Sequence, residues 1–285
     1  MRGIRNKDTI KIGPRHSSLV SDSLAVEAPL EIQIWDHHHH LYFPFNVTMR
    51  TPGSDVELAL GFLFAEGIIG KIEDVLQWEE SADDLIRIML SPQIRLNQTD
   101  IDRNFFTSSS CGVCGKKSLE KIAHASCYFP PKASPVVHIA ELMALPAQLF
   151  NAQSLFQLTG GIHGAGLFDM KGQLLLARED VGRHNALDKL IGAALQQQLV
   201  PWRAAALVLS GRISFELVQK ASMLGIPFII AVGAPSSLAV ELAEDCGITL
   251  IGFTKGERCN IYTGAERLII DKPSSTSITA QLFTP

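Results

Sequence analysis

A chain of 285 residues with 46% hydrophobic and 19% charged residues has the composition of a soluble globular protein, in one large domain or two. Its net charge of −4 argues against a surface built for nucleic acid, and no apolar run is long enough to span a bilayer. The N-terminal M-R-G-I-R-N-K lacks the apolar stretch of a secretory signal, and five cysteines, an odd number, argue against a disulfide framework; a cytoplasmic setting is expected.

Residues 1 to about 20 are polar, basic and aperiodic, which predicts a loose tail. P-L-E-I-Q-I-W then alternates, with Leu30, Ile32 and Ile34 on one face of a half-buried strand. F-P-F-N-V-T-M-R reads as a second strand, after a turn that holds His37 to His40. Neighbours on a strand or turn point in different directions, so the histidine run reads as an exposed hairpin turn or an insertion ahead of a metal site. Thr51-Pro-Gly-Ser-Asp55 starts a helix: Pro52 pre-sets φ, Ser54 or Asp55 can cap, and V-E-L-A-L-G-F-L-F-A-E-G supplies an apolar face closed by Gly67. L-I-R-I-M-L is a further strand. Residues 97–110, rich in Asn, Asp and Ser, read as a mobile connection at which the molecule divides.

A helix from about Ser118, a proline-rich break and a second helix around residues 139–152 come next. F-Q-L-T-G-G-I-H-G-A-G-L-F-D and Q-L-L-L-A-R-E-D read as two strands joined at Lys171-Gly172. A helix opens near His184-Asn185, with Ala186, Leu187, Leu190, Ile191 and Ala194 at helical spacing. Strand A-A-L-V-L-S, helix, strand P-F-I-I-A-V, helix and strand I-T-L-I-G-F then alternate. That order predicts a βαβαβ unit of neighbouring parallel strands buried on both faces.

T-S-S-S-C-G-V-C-G-K-K sets Cys111 and Cys114 three positions apart in a polar, glycine-flanked segment, with two lysines and a helix start just after them. A helix N-terminus and nearby cations stabilise thiolate, the reactive form of cysteine. Cys246 and Cys259 read as packed thiols. Cys111, Cys114, His124 and Cys127 could formally hold zinc, although a second C-x-x-C pair is missing.

In a parallel unit, ligands gather beyond the carboxyl ends of the strands. Three such ends are Ser210-Gly-Arg-Ile-Ser214, Gly233-Ala-Pro-Ser-Ser237 and Phe253-Thr-Lys-Gly-Glu-Arg258. Singly these are ordinary turn and cap residues; converging on one sheet edge, they form a cradle for a phosphorylated or nucleotide-like ligand. Ser210, Gly211, Arg212, Gly233, Ser236, Lys255 and Arg258 are its candidate contacts. The string G-G-I-H-G-A-G runs into a strand instead of opening a helix, so it is no dinucleotide fingerprint. Its glycines allow close backbone approach, and His163 there is either a site residue or a packed histidine. R-E-D-V-G-R-H-N offers Asp180, Arg183 and His184 to the cleft rim, or as caps and solvated charges.

T-S-S-S-C-G-V-C-G-K, M-R-T-P-G-S-D-V-E-L-A-L-G-F-L-F-A-E-G-I-I, T-G-G-I-H-G-A-G-L-F, A-R-E-D-V-G-R-H-N-A-L-D-K-L-I-G and S-G-R-I-S-F-E-L-V-Q-K-A, in that set, resemble the formate dehydrogenase accessory protein family over about residues 25 to 270. The resemblance implies an α/β fold: a cytidine-deaminase-like mixed sheet with flanking helices, plus a smaller N-terminal α+β subdomain. The expected divisions are a tail over 1–20, the subdomain over 21–105, a mobile cysteine loop over 106–117, the deaminase-like domain over 118–271 and a C-terminal tail over 272–285. The implied protein is a cytoplasmic homodimer and a sulfurtransferase. It accepts persulfide sulfur from a cysteine desulfurase and delivers it to the molybdenum or tungsten of bis-molybdopterin guanine dinucleotide, bound as substrate, for formate dehydrogenase. Cys111 matches the persulfide carrier, and Phe253, Thr254, Lys255, Gly256, Glu257 and Arg258 match the cofactor-binding segment. Cys114 either resolves the persulfide or assists. Deaminase chemistry is not implied, because the H-x-E and P-C-x-x-C zinc signature is absent. A cofactor-binding chaperone without sulfur transfer and a zinc-stabilised interaction module are the rival readings.

Overall fold

The computed structural model describes residues 3–270, apart from 38, 82–83, 95 and 97–135. Ile4–Ile12 (β1) and Ser17–Ala25 (β2) pair antiparallel along their whole length. This corrects the expected loose tail. The ribbon stands largely in solvent, with Ile10, Ile12 and Leu19 exposed, so its strands carry no burial period to betray them. Ala28–Asp36 (β3) turns Leu30, Ile32 and Ile34 inward and pairs with Leu41–Arg50 (β4) across the histidine turn, as the alternation predicts. In that turn His39 Nδ1 lies 2.6 Å from Asp36 Oδ2, and His37 Nε2 lies 2.8 Å from the Leu90 carbonyl oxygen, so the two rings face different partners.

Asp55–Ala65 (α1) buries Leu58, Leu60, Leu63 and Phe64, and Gly67 closes it at φ 72°. The capping expectation needs correction. Ser54 occupies the N-cap at φ 57° without a side-chain capping bond, and the Asp55 carboxylate accepts from Arg50 and the Gly53 N–H instead. Val75–Ser81 (β5) and Leu85–Leu90 (β6) complete a four-stranded sheet of order β4-β3-β6-β5. The sequence reading misses β5, an edge strand with Val75 as its one buried residue.

Val137–His138 (β7) leads to Ile139–Ala152 (α2) and Ser154–Thr159 (α3), a short helix ended by Gly160 at φ 66°. The single strand expected from Phe156 onward is therefore a helix followed by His163–Asp169 (β8). Leu174–Asp180 (β9), Arg183–Gln196 (α4), Ala205–Leu209 (β10), Phe215–Ser222 (α5), Phe228–Ala231 (β11), Ser237–Asp245 (α6) and Thr249–Lys255 (β12) follow as predicted. Arg258–Thr263 (β13), not foreseen, folds back on β12, so Phe253 to Arg258 form a hairpin tip and not a strand-to-helix loop. Leu268–Ile269 (β14) pairs with β7.

The larger sheet runs β13-β12-β11-β10-β8-β9, with β10, β11 and β12 parallel and the other pairs antiparallel. Alternate residues of its centre serve two cores. Leu207, Leu209, Ile229 and Ala231 join α1 and α4, whereas Ala206, Val208, Phe228 and Ile230 join Leu142, Leu145 and Leu149 of α2. The first core also takes Leu30, Ile32 and Ile34 from the small sheet, so one apolar body unites both halves. Helices α1 and α4 meet backbone to backbone: a Cβ on Gly61 would lie 1.8 Å from the Asp188 carbonyl oxygen, and one on Gly192 1.9 Å from that of Glu57. No helix among the described residues is long and apolar enough to cross a membrane.

Candidate functional site

Strands β10, β11 and β12 end side by side, and the loops beyond them stack by backbone contact. The Gly233 N–H donates to the Gly211 carbonyl at 3.1 Å, and the Phe253 N–H donates to the Gly233 carbonyl at 3.1 Å. Such rungs need glycine, since a Cβ on Gly233 would stand 2.8 Å from the Gly211 oxygen and 2.9 Å from the Arg212 nitrogen. On the other flank, Ser210 Oγ accepts the Gly164 N–H at 2.8 Å and the Ser210 N–H donates to the Gly164 carbonyl at 3.0 Å. This brings the His163 ring to 3.1 Å from the position a Gly211 Cβ would take. His163, Ser210, Gly211, Arg212, Gly233 and Phe253 thus meet at one edge, as the strand order predicts. Lys255 and Arg258 are exposed across the tip of the β12–β13 hairpin, around Gly256 and Glu257. Ser236 is engaged otherwise: its hydroxyl accepts the Ala239 N–H at 3.3 Å and caps α6.

The first turn of α4 brings charge to the same edge. His184 Nε2 lies 2.8 Å from Glu216 Oε2 and 3.0 Å from Ser214 Oγ, two partners the sequence reading did not single out. The signal was present as S-F-E at a helix start, but only the fold sets it against His184. The bond from His184 holds the Glu216 carboxyl below the usual carboxylate range. Burial, reinforced by the positive charges of Arg183 and Arg212, holds the His163 imidazole below its ordinary pKa.

Two polar groups here have no partner among the described residues. Thr254, 2% exposed, has a buried hydroxyl with none, and Arg183 Nε is likewise buried and unmatched. Phe253 sits at φ 52°, in the left-handed region that disfavours a bulky side chain, at an irregularity between Gly252 and Lys255, with half of its surface in solvent. Cations, an aromatic face and unmatched hydrogen-bonding groups suit an anionic ligand that carries a planar ring. Asp180, read either as a rim residue or as a cap, is fully buried and saturated by Thr51, Gly182, Asn185 and Lys189, so the rim alternative falls.

Cys111 and Cys114 lie outside the described residues, as do His124 and Cys127. Cys246 and Cys259 are free and partly buried, and burial pushes both thiols up, in keeping with packed roles. Among the described residues no group of three His, Cys, Asp or Glu gathers as a metal site.

The model of the FdhD/NarQ family matches residues 25–269. The chain belongs to that family. It is 49% identical over 256 residues to the sulfur carrier protein FdhD of Mycolicibacterium paratuberculosis, across 87% of this chain and 92% of the relative. To the sulfur carrier protein FdhD of Streptomyces coelicolor it is 41% identical over 280 residues, across 94% and 97%. The solved structure of a formate dehydrogenase accessory protein from Desulfotalea psychrophila superposes with a TM-score of 0.70 at 26% identity, over 93% of this chain and 99% of that one. Family membership spans both sheets and the cleft, so the mixed α/β arrangement with flanking helices is a property of the family fold.

Proposed function

We propose that this chain is a sulfurtransferase of formate dehydrogenase maturation, which accepts persulfide sulfur from a cysteine desulfurase on Cys111 and hands it to bis-molybdopterin guanine dinucleotide. Relatives at 49% and 46% identity bear the name sulfur carrier protein, and C-G-V-C supplies two thiols in a polar, lysine-flanked stretch. The observation that carries the ligand half of the reading is the meeting of His163, Ser210, Arg212, Gly233 and Phe253 at one sheet edge beside an unmatched Thr254 hydroxyl. Arg183 and Arg212 are suited to phosphate and Phe253 to a base face, with Lys255 and Arg258 at the entrance. A deaminase-like larger domain over 118–271, a subdomain over 21–105 and a cytoplasmic homodimer belong to the same reading.

The sulfur steps balance as follows. The Cys111 thiolate attacks the terminal sulfur of the donor persulfide; the donor's S–S bond breaks, its thiolate leaves, and Cys111–S–SH remains. Attack by the Cys114 thiolate on the Cys111 sulfur then forms the Cys111–Cys114 disulfide and releases hydrosulfide toward the metal of the substrate. A cellular dithiol returns the disulfide to two thiols.

Mass spectrometry after incubation with a desulfurase and cysteine tests this. The peptide holding Cys111 gains one sulfur atom, and Cys111→Ala loses both the added sulfur and the ability to support formate dehydrogenase. A Cys111→Ala protein still loaded at Cys114 overturns the assignment of the carrier. One that still supports the enzyme, without any load, turns the reading to a cofactor-binding chaperone.

A further inference from the structure

Thr51 joins β4 to the loop before α1, and all three of its polar groups are committed across the seam to the α/β unit. Its N–H donates to Asp180 Oδ2 at 3.1 Å, its carbonyl accepts from Lys189 Nζ at 2.7 Å, and its hydroxyl accepts the Val181 N–H at 3.1 Å. Lys189 also meets Asp180 Oδ2 at 2.7 Å, while Asp180 Oδ1 accepts the Gly182 N–H at 2.8 Å and Asn185 Nδ2 at 3.2 Å. Asn185 in turn donates to the Met49 carbonyl at 2.8 Å. Thr51, Asp180 and Lys189 are 1%, 0% and 2% exposed.

This knot brackets two polar residues of the cleft. Val181, Gly182 and Asn185 are pinned by it, and Arg183 and His184 lie between them. A fully buried ion pair is a poor means of stabilising a fold, since apolar residues of similar volume often do as well or better. Nor does packing alone seat the loop: Thr51, Pro52, Gly53 and Ser54 border a cavity of about 300 Å³ that Arg178, Glu179 and Lys189 also line. What fixes the loop against α4 is the hydrogen-bonded knot.

We propose that Thr51, Asp180 and Lys189 are positioning residues, which set the placement of Arg183 and His184 in the cleft from the N-terminal unit without touching the ligand. The small sheet and α1 are then part of the binding apparatus and not a separate module. The ligand arm of the test rests on the nucleotide reading of the cleft; the other arm does not.

The test compares Thr51→Val, which removes the hydroxyl acceptor, with the conservative Thr51→Ser. Leu142→Ala, on the buried face of α2 in the other core, serves as a variant of comparable or larger stability loss. The His184 ring signals are followed by NMR in the free protein, and GDP affinity by calorimetry. Thr51→Val shifts the His184 signals and weakens GDP binding about tenfold, while Thr51→Ser stays within about twofold of the unaltered protein. Leu142→Ala, although less stable, changes neither. The charge-neutral pair Asp180→Asn with Lys189→Met keeps the fold and reproduces the Thr51→Val shifts. Unmoved His184 signals in both Thr51→Val and the neutral pair overturn the inference, as does an equal movement in Leu142→Ala. Failure of the unaltered protein to bind GDP counts against the nucleotide reading alone, and the His184 signals still decide this one.

Discussion

The seam between β4–α1 and α4 and the cleft at the carboxyl edge of the large sheet use the same kinds of residue to opposite ends. At the seam every buried charge is answered. Arg50 holds Asp55 through Nε at 2.9 Å and Nη2 at 2.8 Å, meets Asp84 at 2.6 Å and reaches the Ala28 and Pro29 carbonyls. Beside the seam, Lys220 of α5 grips both oxygens of Asp188 of α4, at 2.6 and 2.8 Å. At the cleft, Thr254 Oγ1 and Arg183 Nε are buried without partners among the described residues. The seam's charges complete one another, whereas the cleft keeps hydrogen-bonding capacity in reserve.

The sharpest way to break that contrast is to remove one cation from each place. Arg50→Met strands a buried Asp55, and its expected cost is about 3–5 kcal/mol in urea unfolding, as for other buried pairs that lose one member. Arg212 is exposed, so Arg212→Met is expected to stay within about 0.5 kcal/mol of the unaltered protein while it weakens nucleotide binding. Equal stability losses from both would erase the distinction.

Much of the cleft was legible because its parts announce themselves locally. A-A-L-V-L and F-I-I-A are short apolar runs of the kind that doubly covered strands carry, and Ser210-Gly211 and Gly233-Ala234 follow them closely. The parallel order then forces G-R-I-S and G-A-P-S to one edge. Sequence alone left Asp180 between rim and cap because its deciding partners are set by the fold: Thr51 is 129 positions away in sequence, and nothing near Asp180 foretells that contact. Strands β1, β2 and β5 escaped for a different reason. A ribbon or edge strand with little burial has no period-two pattern of buried side chains, and its backbone pairing leaves little trace in side-chain polarity. In β13, R-C-N-I does alternate, with Cys259 and Ile261 packed on the second core, but the run is short. In α3, six residues with two aromatic or β-branched side chains were too short to separate helix from strand.

A second test sets stability against binding at one residue. Phe253 at φ 52° carries strain that glycine would not. Phe253→Gly is expected to be neutral or up to about 1 kcal/mol more stable, because relief of the left-handed strain offsets the added freedom of the unfolded chain. The same change removes the aromatic face and is expected to weaken GDP binding by about tenfold or more. A variant that is less stable and binds normally would make Phe253 a packing residue and return the cleft to the company of the seam.

The smallest effect is protonic. Burial, together with Arg183 and Arg212, lowers the His163 pKa, and Asp180 opposes them; His184 adds to the lowering. The free protein therefore holds His163 neutral near pH 7, while the unfolded chain takes up its proton around the ordinary value of about 6.5. Since the unfolded state binds the proton first, this residue's contribution to stability is full above about pH 6.5 and declines as pH falls from there toward the folded pKa. A phosphate placed between the two arginines reverses the balance at His163 by favouring its charged form. Nucleotide binding is then expected to take up a fraction of a proton and to tighten as pH falls from 8 toward 6. Calorimetry in buffers of different ionisation enthalpy reads that uptake directly. His163→Gln should abolish it while Arg212 still holds the ligand, and uptake that survives in His163→Gln would show that His163 is not the group that takes up the proton.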